Sequence, residues 1–430
     1  MSTQLARSAV QRLSWLVTHT ASGPSPTSEN RNIEGNQEWG VLKTTAITWA
    51  GWSPEQHKVL PPRFWGMKNA EVKVGDIVVT KAGPRHRVGV AAYVDHTPSR
   101  LLVSGKMILL RVNPAATDPR FLARALSTPG PQSHLDARKT GMAESQMNFA
   151  NEDLLGLRIN IPNLSDQHRI SDYLDVETGR IDQLITMQRR LSALLEERDQ
   201  ALRDQLVNHL SDTSGDIPLR RLITRFEQGE SPQCEAMPRE SHSEWGVLKL
   251  SAVKRGKFDP TQNKRLPEEV QANREYEVRK GDLLISRANT PSLVGDTAVV
   301  DSTAPKLLLP DLLYRISLTP TMDAKYVAQV ALSGRVRALI ESVARGSSQS
   351  MVKLRGEDIK NWPIPIASRV QQAEVLREID RGTQATSRLR SAVTRQLELL
   401  AERRQALITA AVTGQFDVST ASGRNVTDGV

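Results

Sequence analysis

The sequence predicts an α+β protein made twice over. Two mixed α/β globules are each followed by a long helix, and the two helices pair antiparallel as a coiled coil within a pseudo-twofold repeat of about 205 residues. Three observations predict this. The chain repeats itself at a domain-sized offset, each repeat changes texture from punctuated β-type runs to unbroken helical periodicity, and 430 residues suffice for several hydrophobic cores.

The repeat is legible residue by residue. Gly23-Pro24-Ser25-Pro26 is echoed by Gly229-Glu230-Ser231-Pro232, and Glu38-Trp39-Gly40-Val41-Leu42-Lys43 returns as Glu244-Trp245-Gly246-Val247-Leu248-Lys249, both at an offset of 206. Val74-Gly75-Asp76-Ile77 aligns with Lys280-Gly281-Asp282-Leu283 in the same register. Further on the offset settles to 205, where Glu152-Asp153-Leu154 matches Glu357-Asp358-Ile359, and Gln200-Ala201-Leu202 matches Gln405-Ala406-Leu407. A period this long marks a duplicated domain pair and not a solenoid.

Texture divides the chain into a first globule at 1–165, a central spacer helix at 166–210, a second globule at 211–366, a C-terminal helix at 367–415 and a flexible tail at 416–430. In the globules, short β-branched runs such as 76–80 and 298–300 are separated by Gly, Pro and Asn. Gly75-Asp76 and Gly281-Asp282 have the composition of turns feeding a buried strand, glycine tolerating the geometry and aspartate bonding the turn backbone. The helical segments carry a seam of three- and four-residue steps. It runs through Leu174, Ile181, Leu184, Gln188, Leu191, Leu195, Arg198, Leu202 and Leu206 in the first, and Ile379, Thr386, Leu389, Val393, Gln396, Leu400, Arg403, Leu407 and Ala411 in the second. Neither stripe can be buried alone, so each helix is expected to cover the other, with a globule at either end of the rod.

Charge is unevenly spread. The formal net charge of +9 divides into +7 for 1–165, −3 for 166–210, +3 for 211–366 and +2 for the remainder. A net acidic helix is a poor rider on phosphate, so nucleic-acid contact is expected from the globules. Their candidate contact residues are Lys43, Lys81, Arg85, Arg87, Arg138 and Lys139 in the first copy, and Lys249, Arg287, Asn289, Arg345, Ser347, Gln349 and Lys353 in the second. Guanidinium and ammonium groups engage phosphate, and planar amides pair with base edges. Trp-Gly-Val-Leu-Lys and Gly-Asp recur, whereas Ala82-Gly83-Pro84-Arg85-His86-Arg87 faces Ala288-Asn289-Thr290-Pro291-Ser292-Leu293. One frame with two loop sets would read two different things.

Catalytic patterns are not found: there is no Gly-rich phosphate loop, nucleophile elbow or paired metal-ligand spacing, and the eight histidines are scattered singly as surface or capping residues. Pro310-Asp311 with Asp323 and Lys325 imitates a metal-dependent nuclease, but Asp323 aligns with Asp118 and both fit a helix cap. A single cysteine, Cys234, and the lack of a long apolar run or signal-peptide core favour a reducing, cytoplasmic setting with no membrane partner. A coiled-coil protein adaptor without DNA binding remains the rival reading.

The helical segments also carry a resemblance. Gln167, Ile170, Tyr173-Leu174-Asp175, Glu177-Thr178 and Arg180-Ile181-Asp182, together with Glu402-Arg403-Arg404-Gln405-Ala406-Leu407-Ile408-Thr409 and Ala411-Val412-Thr413-Gly414, resemble the DNA specificity subunit of type I restriction-modification systems. The resemblance implies that each globule is a target-recognition domain reading one half of a bipartite sequence in double-stranded DNA. It implies that the helices fix the spacing and dock two methylation subunits through Leu174, Ile181, Leu184, Leu191, Leu195, Leu202, Ile379, Leu389, Val393, Leu400 and Leu407. It further implies a chain with no catalysis and no cofactor of its own: S-adenosylmethionine, ATP and Mg serve the methylation subunits and a restriction and translocase subunit. A helix of about 32 residues spans ~48 Å, or ~14 base pairs, which suits two half-sites and a gap. The second helix departs from the motif at Glu378-Ile379-Asp380-Arg381-Gly382-Thr383, which leaves open whether both helix starts dock partners equally.

Overall fold

The computed structural model describes residues 8–27, 29–35, 37–301, 305–343, 345–348 and 351–418. The chain forms two compact units, one of Met1–Arg189 with Arg395–Val430 and the other of Arg190–Thr394. The cut falls inside both long helices, Leu164–Ser214 and Arg369–Val412. Each unit therefore contains one globule, the near half of the helix that follows it and the far half of the other copy's helix. No helix among the described residues is long and apolar enough to cross a membrane.

The first unit is organised by a four-stranded antiparallel sheet in the order Val17–Ala21, Met107–Val112, Ile77–Thr80, Ala91–Tyr93. All four residues of Ile77–Thr80 are buried because both faces of this interior strand are covered, which is why the run does not alternate. Gly75 enters it at φ +95°, in the left-handed region that a side chain avoids. Asp76 accepts from Lys73 N at 2.8 Å and is gripped by Arg111, Nε to Oδ1 at 2.8 Å and Nη2 to Oδ2 at 3.1 Å. A three-stranded sheet, Leu101–Leu102, Gly40–Leu42 and His57–Val59, lies in the same unit. The second unit repeats the plan: Ile223–Gln228, Leu313–Leu318, Leu283–Ser286 and Thr297–Val299, then Asn263–Arg265, Gly246–Leu248 and Leu307–Leu308. Gly281 has φ +96°, and Asp282 accepts from Arg279 N at 2.8 Å.

The repeated glycine in the Trp-Gly-Val-Leu-Lys block answers a packing need. A Cβ at Gly40 would meet Leu101 at 3.0 Å and His57 at 3.3 Å, and one at Gly246 would meet Asn263 at 3.0 Å and Leu307 at 3.1 Å. His57, expected at the surface, is instead 6% exposed: its Nδ1 bonds Pro54 O at 2.7 Å and its Nε2 bonds Ile33 N at 3.2 Å. Asn263 stands at the equivalent position and performs the same bridge, donating to Pro260 O at 2.9 Å and accepting from Arg239 N at 3.0 Å.

Within the first unit the two helix segments run antiparallel, since Asp182 meets Arg404 at 2.9 Å and Tyr173 meets Phe416 with ring centroids 5.6 Å apart. Ile170, Leu174, Ile408, Ala411 and Val412 join the globule core there. Within the second, Asp199 takes Thr386 Oγ1 at 3.0 Å and pairs with Arg390, while Val207, Leu210, Val375 and Ile379 join that globule's core. The apolar seam needs one correction. Leu174, Ile181, Leu195, Ile379 and Val393 are buried and Leu191, Leu202, Leu400 and Leu407 half-buried, but Leu184 and Leu389 are 48% and 44% exposed. Arg198 and Arg403 also face outward, and their neighbours Asp199 and Arg404 take the facing positions. At these points the helices meet through the ion pairs Asp182–Arg404 and Asp199–Arg390.

Candidate nucleic-acid interface

Each unit carries a small sheet that continues from the end of its buried central strand. In the first unit, Lys81 N bonds Lys106 O at 2.8 Å as the chain leaves Thr80, and Ala82–Gly83 then pairs with Met147–Asn148. Thr140 bridges Asn148 on its other side. In the second, Arg287 N bonds Leu312 O at 2.9 Å, and Ala288–Asn289 pairs with Met351–Lys353, which pairs in turn with Arg345–Ser348. The topology thus gathers most of the candidate contact residues about one sheet per unit. Lys43 and Lys249 are not among them: each is half-buried at the end of its three-stranded sheet, with its amide on Gln56 O or Gln262 O at 2.9 Å.

The gathered side chains fall into two roles. Arg85 bridges Asp136 at 3.0 Å and Glu144 at 3.3 Å, and Lys139, with its side chain 6% exposed, bonds Asp136 at 3.0 Å and Arg85 O at 3.0 Å. The hydrogen bonds from Arg85 and then Lys139 hold the Asp136 carboxyl below its ordinary value. Lys139 is therefore an internal brace and not a surface cation, because its buried ammonium is held by Asp136 and the Arg85 carbonyl. Arg138 is exposed and bonds Asp153 at 3.4 Å, and Arg87 is half-buried with no ion pair among the described residues. In the second unit Arg287 is half-buried on Tyr314 Oη at 3.2 Å, Asn289 accepts from Thr290 N at 2.9 Å and so keeps its amide hydrogens free of that bond, and Lys353 is exposed. Arg345 and Ser347 lie on the outer strand of the sheet, and Gln349 lies outside the described residues.

Sequence reasoning missed the braces that seat this sheet's globule on the helices. Gln167, 1% exposed, accepts from Asp118 N at 2.9 Å and donates to Pro162 O at 2.8 Å, and Gln372 accepts from Asp323 N and donates to Ala367 O, both at 2.8 Å. Asp118 and Asp323 open the short helices Pro119–Leu126 and Ala324–Ala331, and at the far ends of these helices Gln405 donates to Ser127 O at 2.8 Å in the first unit and Gln200 to Leu332 O at 3.0 Å in the second. Arg404 adds bonds to Trp49 O and Ala50 O at 2.9 and 3.0 Å. The signal was present: Gln200 and Gln405 sit in the repeated Gln-Ala-Leu block, and Gln167 and Gln372 differ by the same 205. Asp118 and Asp323 both cap helices, accepting from Arg120 N and Lys325 N at 2.8 Å, and Asp311 bonds Ser231, so the nuclease-like carboxylates have structural employment.

No family model matches the chain. It is 32% identical over 173 residues to the EcoEI type I restriction enzyme specificity subunit of Escherichia coli, an alignment spanning 40% of this chain and 29% of that protein. It is 24% identical over 334 residues to the EcoKI specificity subunit of E. coli K12, spanning 75% and 70%. Among solved structures, a chain from work on the assembly and conformational transition of a type I restriction-modification system superposes with a TM-score of 0.58 at 16% identity, over 96% of this chain and 100% of that one. The resemblance carried by the helical motifs holds: the sequence relatives are type I specificity subunits, and the fold is found in a type I restriction-modification system.

Proposed function

We propose that this chain is the DNA-reading specificity subunit of a type I restriction-modification complex, acting in the cytoplasm. The observation that carries the reading is the duplicated small sheet, built on the same frame in both units but with different residues: Ala82-Gly83 with Arg87 and exposed Arg138 in one, Ala288-Asn289 with Arg287 and exposed Lys353 in the other. Each sheet reads one half of a bipartite target in double-stranded DNA. Exposed cations engage phosphate and position the sheet, while amides such as Asn289 address base edges. Two modules multiply discrimination, since each mismatched base pair costs about 1–3 kcal/mol.

The helices set the separation of the two half-sites and dock two methylation subunits, and a further restriction and translocase subunit completes the complex. Methylation and cleavage, with S-adenosylmethionine, ATP and Mg, belong to those partners. The test is binding of the chain with its methylation subunits to duplex DNA across graded salt. A steep fall of log affinity with log salt is expected, because displaced phosphate counterions set the slope. A flat response contradicts DNA reading and favours a protein adaptor.

A further inference from the structure

The three-stranded sheet of each unit is covered on one side by a loop whose inner residues do the same work in both copies and whose outer residues do not. In the first unit, Phe64 and Met67 pack with Trp39 on Val41, Leu60 and Leu102. In the second, Val270 and Ala272 pack with Trp245 on Val247, Leu266 and Leu308. Outside, at equal register, exposed Arg63, Trp65 and Lys68 stand where the second copy has exposed Glu269, Gln271 and Arg274, and Pro62 stands where it has Glu268. The first loop therefore presents two cations and an aromatic ring, the second two carboxylates and one cation.

The first loop is also fixed in shape. Pro62–Phe64 and Lys68–Ala70 form short 3-10 turns, and Gly66 joins them at φ +81°. The Arg63 guanidinium lies 4.8 Å over the Phe64 ring, which orders it without neutralising it. Trp65 donates its indole N–H, the side chain's single donor, to Leu60 O at 2.8 Å, leaving a ring 41% exposed with no polar demand. Arg63 and Lys68 have no ion pair among the described residues, in contrast to Arg85 and Lys139.

We propose that this loop is a second, sequence-independent DNA contact of the first unit, a phosphate clamp through Arg63 and Lys68 beside an aromatic wall, with no counterpart in the second unit. The inference rests on the DNA-reading function and makes the grip on DNA asymmetric between the two halves. It is tested with the full chain assembled with its methylation subunits on a duplex carrying its target. Replacing both cations, Arg63→Gln with Lys68→Gln, is expected to flatten the log–log salt slope by about 1.8, two contacts at ~0.9 each, and to weaken binding by tens of fold at 0.1 M salt. The recognised sequence stays the same, and Arg63→Lys keeps the slope. A steep wild-type slope left unchanged by the double variant overturns the clamp. So does loss of assembly with the methylation subunits at unchanged slope, which would assign the patch to an acidic protein face. A flat slope in the wild type would instead sink the DNA reading itself.

Discussion

Replacing Gln167 with alanine should destabilise the first unit far more than its chemistry suggests. The amide is 1% exposed and satisfies two buried backbone groups, Asp118 N at 2.9 Å and Pro162 O at 2.8 Å, at the junction between the globule and the long helix. Alanine leaves both without partners, and each buried unpaired group costs about 1–3 kcal/mol, so the loss is about 2–6 kcal/mol. That is a large part of the roughly 5–15 kcal/mol available to a domain. Gln167→Met fills the volume but supplies neither bond, and should cost nearly as much; if it restores stability, packing and not the amide is the cause. Gln372→Ala should cost at least as much in the second unit, because its amide also serves Thr321 O at 3.0 Å. The assay is chemical denaturation of the full chain with hydrogen exchange to assign the affected unit. A loss below about 1 kcal/mol, or exchange changes spread equally over both units, would show that the amide does not hold this junction.

Three other outcomes follow from the same geometry. His57→Asn should be tolerated within about 1 kcal/mol because Asn263 already makes the equivalent bridge, whereas His57→Ala should lose about 2–6 kcal/mol by leaving Ile33 N and Pro54 O unpaired; melting of the two variants separates them. Hydrogen bonding from Arg31 holds the Glu38 carboxyl at about 2, against an ordinary 4.5, so its contribution is complete above pH 4.5 and lost as pH falls toward 2; an NMR titration of Glu38 with a midpoint near 4.5 would contradict this. Asp199 and Arg390 should show a coupling of about 1 kcal/mol or more in a double-mutant cycle, and exchanging them, Asp199→Arg with Arg390→Asp, should recover part of what each single change loses.

What the sequence revealed and what it hid follow from how each feature is encoded. The duplicated frame is written in local chemistry: Gly75-Asp76 and Gly281-Asp282 need a left-handed glycine and a turn-bonding carboxylate, and both copies supply them at one register. Asp118 and Asp323 were readable as caps for the same reason. Most of the helix seam is legible, but Leu184 and Leu389 face outward, because leucine frequency does not distinguish Leu184 from Asp182, and only the partner helix, with Arg404 opposite, decides which residue turns inward. The contact set was read from composition, which places Arg85 and Lys139 near the small sheet but cannot see that Asp136 lies 3.0 Å from each. Gly382 was a departure from the motif in sequence. In the structure a Cβ there would lie 2.3 Å from Leu202, so the departure makes room for the facing helix segment.

The proposed function requires each unit to read its own half of one bipartite target. The decisive measurement maps methylated positions across a genome in cells carrying the chain with the methylation subunits proposed to partner it, before and after exchanging the first unit's small-sheet residues, 82–88 and 138–148, for those of the EcoEI specificity subunit. The expected result is a bipartite motif in which one half changes while the other half and the gap between them stay constant. A change in both halves, or a motif that is not bipartite, contradicts it.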